Sequence, residues 1–386
     1  MIRARVAVCG LVLLLYCVAT LITSSVANAQ GYQESTLYTF TGPDGAEPYA
    51  GVIRRGTTLY GTTLVGGTFN HGTVFKLDRT GKETVLYSFS GGEDGALPGL
   101  IQYYKGNLYG VAEQGGMGGC VGGCGTVFKI DTSGNETVLY SFTGGADGAW
   151  PTGTPAIDAA GNLYGTTLFG GDSKCGCGVV FKLDPHGVET VLFAFKVKSG
   201  AESGLVRDSA GNLYGNTDGG GAYGVGSVFK VDAKGVWSDL YSFTGGADGK
   251  YPRGGLALDS MGNVYGTTGA GGTSPYGVVF KIDPEGVETV LYDFSGGADG
   301  AYPAGSVLLS PAGTLYGTTL QGGTAGYGVV FQVTMSGTET VLYSFSGGAD
   351  GAYPLGALAT DAKGDLFSTT SGGGAGGDGV VFKLEP

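Results

Sequence analysis

The tripeptide Leu59-Tyr60-Gly61 returns at 108–110, 163–165, 213–215 and 315–317, and Val264-Tyr265-Gly266 and Leu366-Phe367-Ser368 complete a set of seven. Counted between the central aromatics, the steps are 49, 55, 50, 51, 51 and 51 residues. Apolar residues fall in short alternating runs rich in Val, Thr, Tyr and Phe, and no window sustains a helical period. A period of this size in such a chain leaves an array of small β units as the fold.

Each period holds four strand-like pieces. In one copy these are 305–309, 314–319, 329–333 and 339–345, and Pro311-Ala312-Gly313 and Met335-Ser336-Gly337 supply the tight hairpins. Four antiparallel strands per unit is the make-up of a propeller blade. The ends decide between a closed ring and an open row. Residues 34–40 read as a fourth strand without its first three, and 380–384 as a third strand without its fourth. Pairing the two leaves no blade with a bare edge. The expected fold is therefore all-β: a seven-bladed β-propeller of four-stranded antiparallel blades, with 34–40 completing the C-terminal blade. A transmembrane barrel would need strands of about 9–11 residues, and the runs here are shorter.

The first 29 residues read as a signal peptide. Arg3 and Arg5 precede an apolar run from Val6 to Ile22, and Ala27-Asn28-Ala29 is a small-residue cleavage site. Residues 30–386 are then a single propeller domain, secreted, periplasmic or at the cell surface, with no membrane span after cleavage and no C-terminal anchor expected. Losing the two arginines takes the net charge from −12 to −14. An acidic surface repels phosphate backbones, so nucleic acid is not an expected partner.

The acidic turn SGGADGAYP occurs at 295–303 and 346–354, with looser copies at 41–48, 90–98, 143–151 and 244–252. It joins one blade's outermost strand to the next blade's innermost strand. It therefore opens on the same face as the glycine-rich loops between second and third strands. Asp44, Asp94, Asp147, Asp248, Asp299 and Asp350 ring this face, and Trp150, Tyr251, Tyr302 and Tyr353 precede the prolines. Each Asp can accept N–H bonds inside its own turn or offer a carboxylate to calcium, which takes six to eight oxygens. The aromatics can wedge between blades or stack on sugar faces. One copy departs: residues 195–204 lack the Asp-Gly-aromatic-Pro core and bring Lys196 and Lys198.

The shared pattern GVVFKLDPxGxETVLYSFSGGADGAYPxGxLxxDxxGNLYGTTxxGG resembles the GloVer-type tandem repeat over nearly all of 34–386. That resemblance implies an exported bacterial surface or secreted protein with a propeller-like repeat, and it brings no catalytic residues. The pattern is more loosely similar to NHL-type and streptogramin-lyase-like propellers.

Motifs for chemistry are sparse. His71 and His186 are the only histidines, and no H-E-x-x-H, G-x-S-x-G or P-loop motif occurs. Cys120, Cys124, Cys175 and Cys177 lie in the second-to-third-strand loops of consecutive blades. In an exported chain they favour disulfides over a four-thiolate zinc site, with local or cross-blade pairing left open. The expected function is a monomeric, non-enzymatic binding or scaffold protein whose partner is an extracellular glycan or a protein. It needs no cofactor, with calcium as the alternative. A propeller lyase or hydrolase on polysaccharide and a purely structural surface protein are the rivals.

Overall fold

The computed structural model describes residues 31–171, 174–196, 201 and 203–386. The expected signal peptide and residues 197–200 and 202 of the divergent turn lie outside them. Every regular element described is a strand. The strands form seven antiparallel sheets, six of them meandering outward in chain order as propeller blades and the seventh completed by the first strand of the chain. Blade one is Val52–Arg55, Thr58–Thr63, Thr73–Leu77 and Glu83–Ser88. Blades two and six split their innermost strand into two short pieces, Ala96–Pro98 with Gln102–Tyr104 and Ala301–Pro303 with Leu308–Leu309.

The ring closes as expected. Gln33–Thr39 pairs antiparallel with Val380–Glu385, Thr36 opposite Phe382, and forms the outermost strand of blade seven. This closure joins the two ends of the described chain through backbone hydrogen bonds, so neither terminal blade presents an open edge.

The core explains the repeated tripeptide. At each of the seven seams, the Phe ending one blade's outermost strand meets the edge of a Phe in the next blade's third strand. The pairs are Phe40–Phe75, Phe89–Phe128, Phe142–Phe181, Phe195–Phe229, Phe243–Phe280, Phe294–Phe331 and Phe345–Phe382, with centroids 5.0–5.6 Å apart. All fourteen rings are buried. The glycine of Leu-Tyr-Gly stands opposite the third-strand Phe, as Gly266 does to Phe280. A Cβ at Gly266 would come within 2.5 Å of that ring. The ring leaves no room for a side chain in the six blades that carry glycine here, and the seventh places Ser368 opposite Phe382.

Candidate functional site

The six acidic turns share one hydrogen-bond pattern. The Asp carboxylate accepts from the Tyr hydroxyl seven residues earlier, at 3.0 Å for Tyr87–Asp94, Tyr241–Asp248 and Tyr292–Asp299 and 3.1 Å for Tyr140–Asp147 and Tyr343–Asp350. In the first turn Tyr38, six residues earlier, donates to Asp44. The backbone N–H and hydroxyl of the Ser or Thr that opens the turn donate as well, as Ser295 does to Asp299 at 2.7 and 2.6 Å. Asp248 and Asp299 are buried. Burial and the adjacent carboxylate hold the six phenols protonated well above their ordinary range. Among the described residues, no three or more His, Cys, Asp or Glu side chains are grouped to hold a metal ion.

The residue before each proline is held in the left-handed region: Glu47, Leu97, Trp150, Tyr251, Tyr302 and Tyr353 have φ of 52–58°. Non-glycine residues rarely adopt this conformation, which costs roughly 1–3 kcal/mol each. It aims the backbone N–H back across the seam. Trp150 donates to the Cys124 carbonyl at 2.8 Å, Tyr251 to Val225 at 2.8 Å, Tyr302 to Tyr276 at 2.9 Å and Tyr353 to Tyr327 at 3.0 Å. Trp150 adds an indole bond to the Gly123 carbonyl at 3.1 Å. Tyr302 and Tyr353 set their rings edge-on to Tyr276 and Tyr327 of the preceding blade. The aromatics thus bridge adjacent blades, while Tyr251 and Tyr353 remain more than a third exposed on the face.

The cysteines pair locally, Cys120 with Cys124 and Cys175 with Cys177. His186 is exposed in its hairpin, where its N–H donates to Asp184 at 2.8 Å.

Inside the collar of turns lies a cavity of about 520 Å³ at the mouth of the central channel. Two positions of the repeat supply much of its wall. Behind the Gly-Thr-Thr of the second strand stand Leu64, Glu113, Leu168, Asp218, Gly269, Leu320 and Ser371 in turn; after the turn proline stand Tyr49, Gly99, Thr152, Arg253, Ala304 and Leu355. The residue before each position barely changes from copy to copy, a Thr or Ala in the first case and the turn proline in the second, yet these two positions change in most copies. Tyr49, Leu64, Glu113, Leu168, Arg253 and Leu355 all line the cavity. The Glu113 carboxyl has no hydrogen-bond or ion-pair partner among the described residues, and burial alone pushes it above the usual carboxylate range. Arg253 lies 3.7 Å from Asp218. The wall behind is tied blade to blade by bonds such as Thr62 to the Gly99 carbonyl at 2.9 Å and Asn216 to Gly254 at 2.8 Å. Sequence reasoning passed over Glu113, Asp218 and Arg253 because it followed what recurs. Stacking the seven copies and comparing the residue that follows the second strand's Gly-Thr-Thr and the one that follows the turn proline would have found them.

A model of the Gloeobacter/Verrucomicrobia repeat matches residues 23–207 and again 201–386. The chain belongs to the Gloeobacter/Verrucomicrobia repeat family. No curated protein matches it. Among solved structures, it is similar to the extracellular domain of a B. thetaiotaomicron protein assigned to the hybrid two component systems, with 10% identity, a TM-score of 0.56 and coverage of 90% of this chain and 39% of that one. A Bacteroides uniformis protein assigned as a 6-phosphogluconolactonase aligns with 16% identity and a TM-score of 0.52 over 77% of this chain and 84% of that one. A gluconolactonase from Xanthomonas campestris aligns with 14% identity and a TM-score of 0.43 over 72% and 82%. At these identities the likeness is one of fold.

The Gloeobacter/Verrucomicrobia repeat places a second acidic group at the seams. Glu83, Glu136, Glu189, Glu288 and Glu339 open the outermost strands, each with a buried, partnerless Oε1. Burial, then the charge of Asp44, Asp94, Asp147 and Asp248 on the preceding turns, pushes the first four up to about 7. Burial and Asp299 push Glu339 up to about 8. The seam between blades three and four breaks this rule throughout. Its turn lacks the Asp, Phe193 stands where other copies have Tyr, and Trp237 where they have Glu. The two rings stack at 4.9 Å and 7°.

Proposed function

We propose that this repeat protein is an exported, non-catalytic binding propeller that takes the end of an extracellular glycan into the mouth of its central channel. One observation carries the reading: at two positions where near-identical repeats differ, side chains from several blades converge on one cavity. Scaffold positions repeat because every seam solves the same packing problem. Positions facing the axis are free of that demand and diverge where a single, asymmetric ligand is recognised. The cavity volume lies in the range of small-ligand sites, which combine apolar walls with a few placed polar groups. Here Leu64, Leu168 and Leu355 supply apolar wall, Glu113 a protonatable carboxyl, Arg253 a guanidinium and Tyr49 an exposed aromatic rim for a sugar face. The acidic turns and the aromatics before proline frame this mouth, and their carboxylates hold the collar in shape. The two disulfides suit an oxidising compartment.

A glycan array, run with calcium and with chelator, tests the reading. Retention of defined glycans by the wild-type protein, lost in Glu113→Leu, supports it; no retention across a broad panel contradicts it. The Leu variant suits the scaffold, since Leu64 and Leu168 hold the same position in their own blades. The enzyme reading draws on the same carboxyl, because a raised carboxylic acid suits a general acid. Oligosaccharide or unsaturated product released by the wild type, and not by Glu113→Leu, would replace binding with catalysis.

A further inference from the structure

On the opposite, hairpin face a second cavity of about 260 Å³ lies between blades three and four. We propose that this groove is a separate binding site for a tetrahedral oxyanion, a phosphate or sulfate group. Three cations line it: Lys182 from the third strand of blade three, Arg207 from the innermost strand of blade four, and Lys234 from that blade's outer hairpin. None of the three forms an ion pair among the described residues. The only carboxylate in the wall is Asp232, whose Oδ1 accepts the N–H groups of Lys234 and Val236 at 2.8 Å each.

Comparison between blades shows that the combination of unpaired cations is particular to this seam. Lysine recurs in the third strands, but Arg207 stands where Ile157, Leu258 and Leu309 stand in other blades, each opposite the first residue of the Leu-Tyr-Gly tripeptide or its variant. Blade one carries Arg54 there, which is paired with Asp361 at 3.7 Å. Lys234 stands where sibling hairpins carry Thr80, Ser133, His186, Glu285 and Ser336. Two changes toward positive charge at one seam, in a chain of net charge −12, leave a local cationic pocket on an acidic body. A guanidinium offers paired N–H donors matched to two oxygens of such an anion, and the lysines add point charges. The groove is open and its cations are largely exposed, so binding is salt-sensitive.

The experiment is calorimetric titration of the whole protein at low ionic strength with inorganic phosphate, inorganic sulfate and a sulfated oligosaccharide. The variants are Arg207→Leu and Lys234→Ser, residues that sibling blades carry at the same positions, and melting temperature is followed in parallel. Saturable binding that weakens by about tenfold or more in Arg207→Leu with an unchanged melt establishes the site. Tighter binding of the oligosaccharide then assigns the group to a polymer, and equal binding assigns it to the free ion. Absence of saturable binding, or binding that both variants leave unchanged, overturns the proposal.

Discussion

Phe193 and Trp237 lie face to face at 4.9 Å across the seam between blades three and four, where the other seams place a tyrosine, an aspartate and a glutamate. Three polar groups are lost together and two aromatic rings replace them. The substitution is coherent: an aspartate in this turn would find no phenol to accept from, and Trp237 in place of the glutamate gives Phe193 a ring to stack on.

This seam therefore depends on the stack. Trp237→Ala should cost roughly 2–4 kcal/mol, a large half-buried ring plus its aromatic contact. Phe193→Tyr should cost far less and bring no gain, because no aspartate occupies the turn position that accepts the phenol at the other seams. Urea unfolding of both variants checks the order.

In the six copies that carry it, the glycine of the tripeptide should resist a side chain; only the seventh places a serine, Ser368, opposite its Phe382. In Gly266→Ala the new methyl would press on the buried Phe280 ring, an overpacking that costs about 1–3 kcal/mol. A shift of the urea midpoint without a change in slope is the expected signature.

The acidic turns should matter for stability and leave binding alone. Asp299→Ala would leave four donors without their acceptor: the Tyr292 hydroxyl, the Ser295 N–H and hydroxyl, and the Gly297 N–H. The expected loss is about 1–3 kcal/mol, with glycan retention on the array unchanged at temperatures where the variant is folded. Retention lost from a folded Asp299→Ala would move the site out to the turns.

Stability should fall as pH rises from about 5 to 8. The seam glutamates have folded-state values of about 7 to 8 against an ordinary 4.5. Between those values the folded protein holds protons that the unfolded chain has released, so stability declines with pH across the window. Below it the trend reverses, because hairpin carboxylates such as Asp158, Asp208 and Asp259 lie below their ordinary 3.8. The glutamates are half-exposed, so solvent screens the effect and the slope is shallow. Melting temperatures from pH 4 to 9 test this; Glu339→Gln should flatten the alkaline limb.

The fold was legible because closure demands a permuted chain. A lone outer strand at 34–40 and a missing one after 384 have one economical use, and Thr36 does meet Phe382. The turn aspartates were legible as a motif, and Asx-type bonding was one of their two readings. The mouth was less visible. Glu113, Asp218 and Arg253 are single departures in three different blades, and only the ring brings them to one axis. Phe193 and Trp237 are 44 residues apart, so their compensation appears only once the blades are set side by side. The left-handed residues before proline carried no sequence signal, since Glu, Leu, Trp and Tyr all occupy that position.

The claim that matters most is that recognition lives at the channel mouth. Affinity for the strongest array glycan should be measured for the wild type, Glu113→Leu, Arg253→Ala and the hairpin-face variant Arg207→Leu, all at one pH and ionic strength. The account predicts at least about tenfold weaker binding for the first two variants and wild-type affinity for Arg207→Leu. Undiminished affinity in both mouth variants would contradict it.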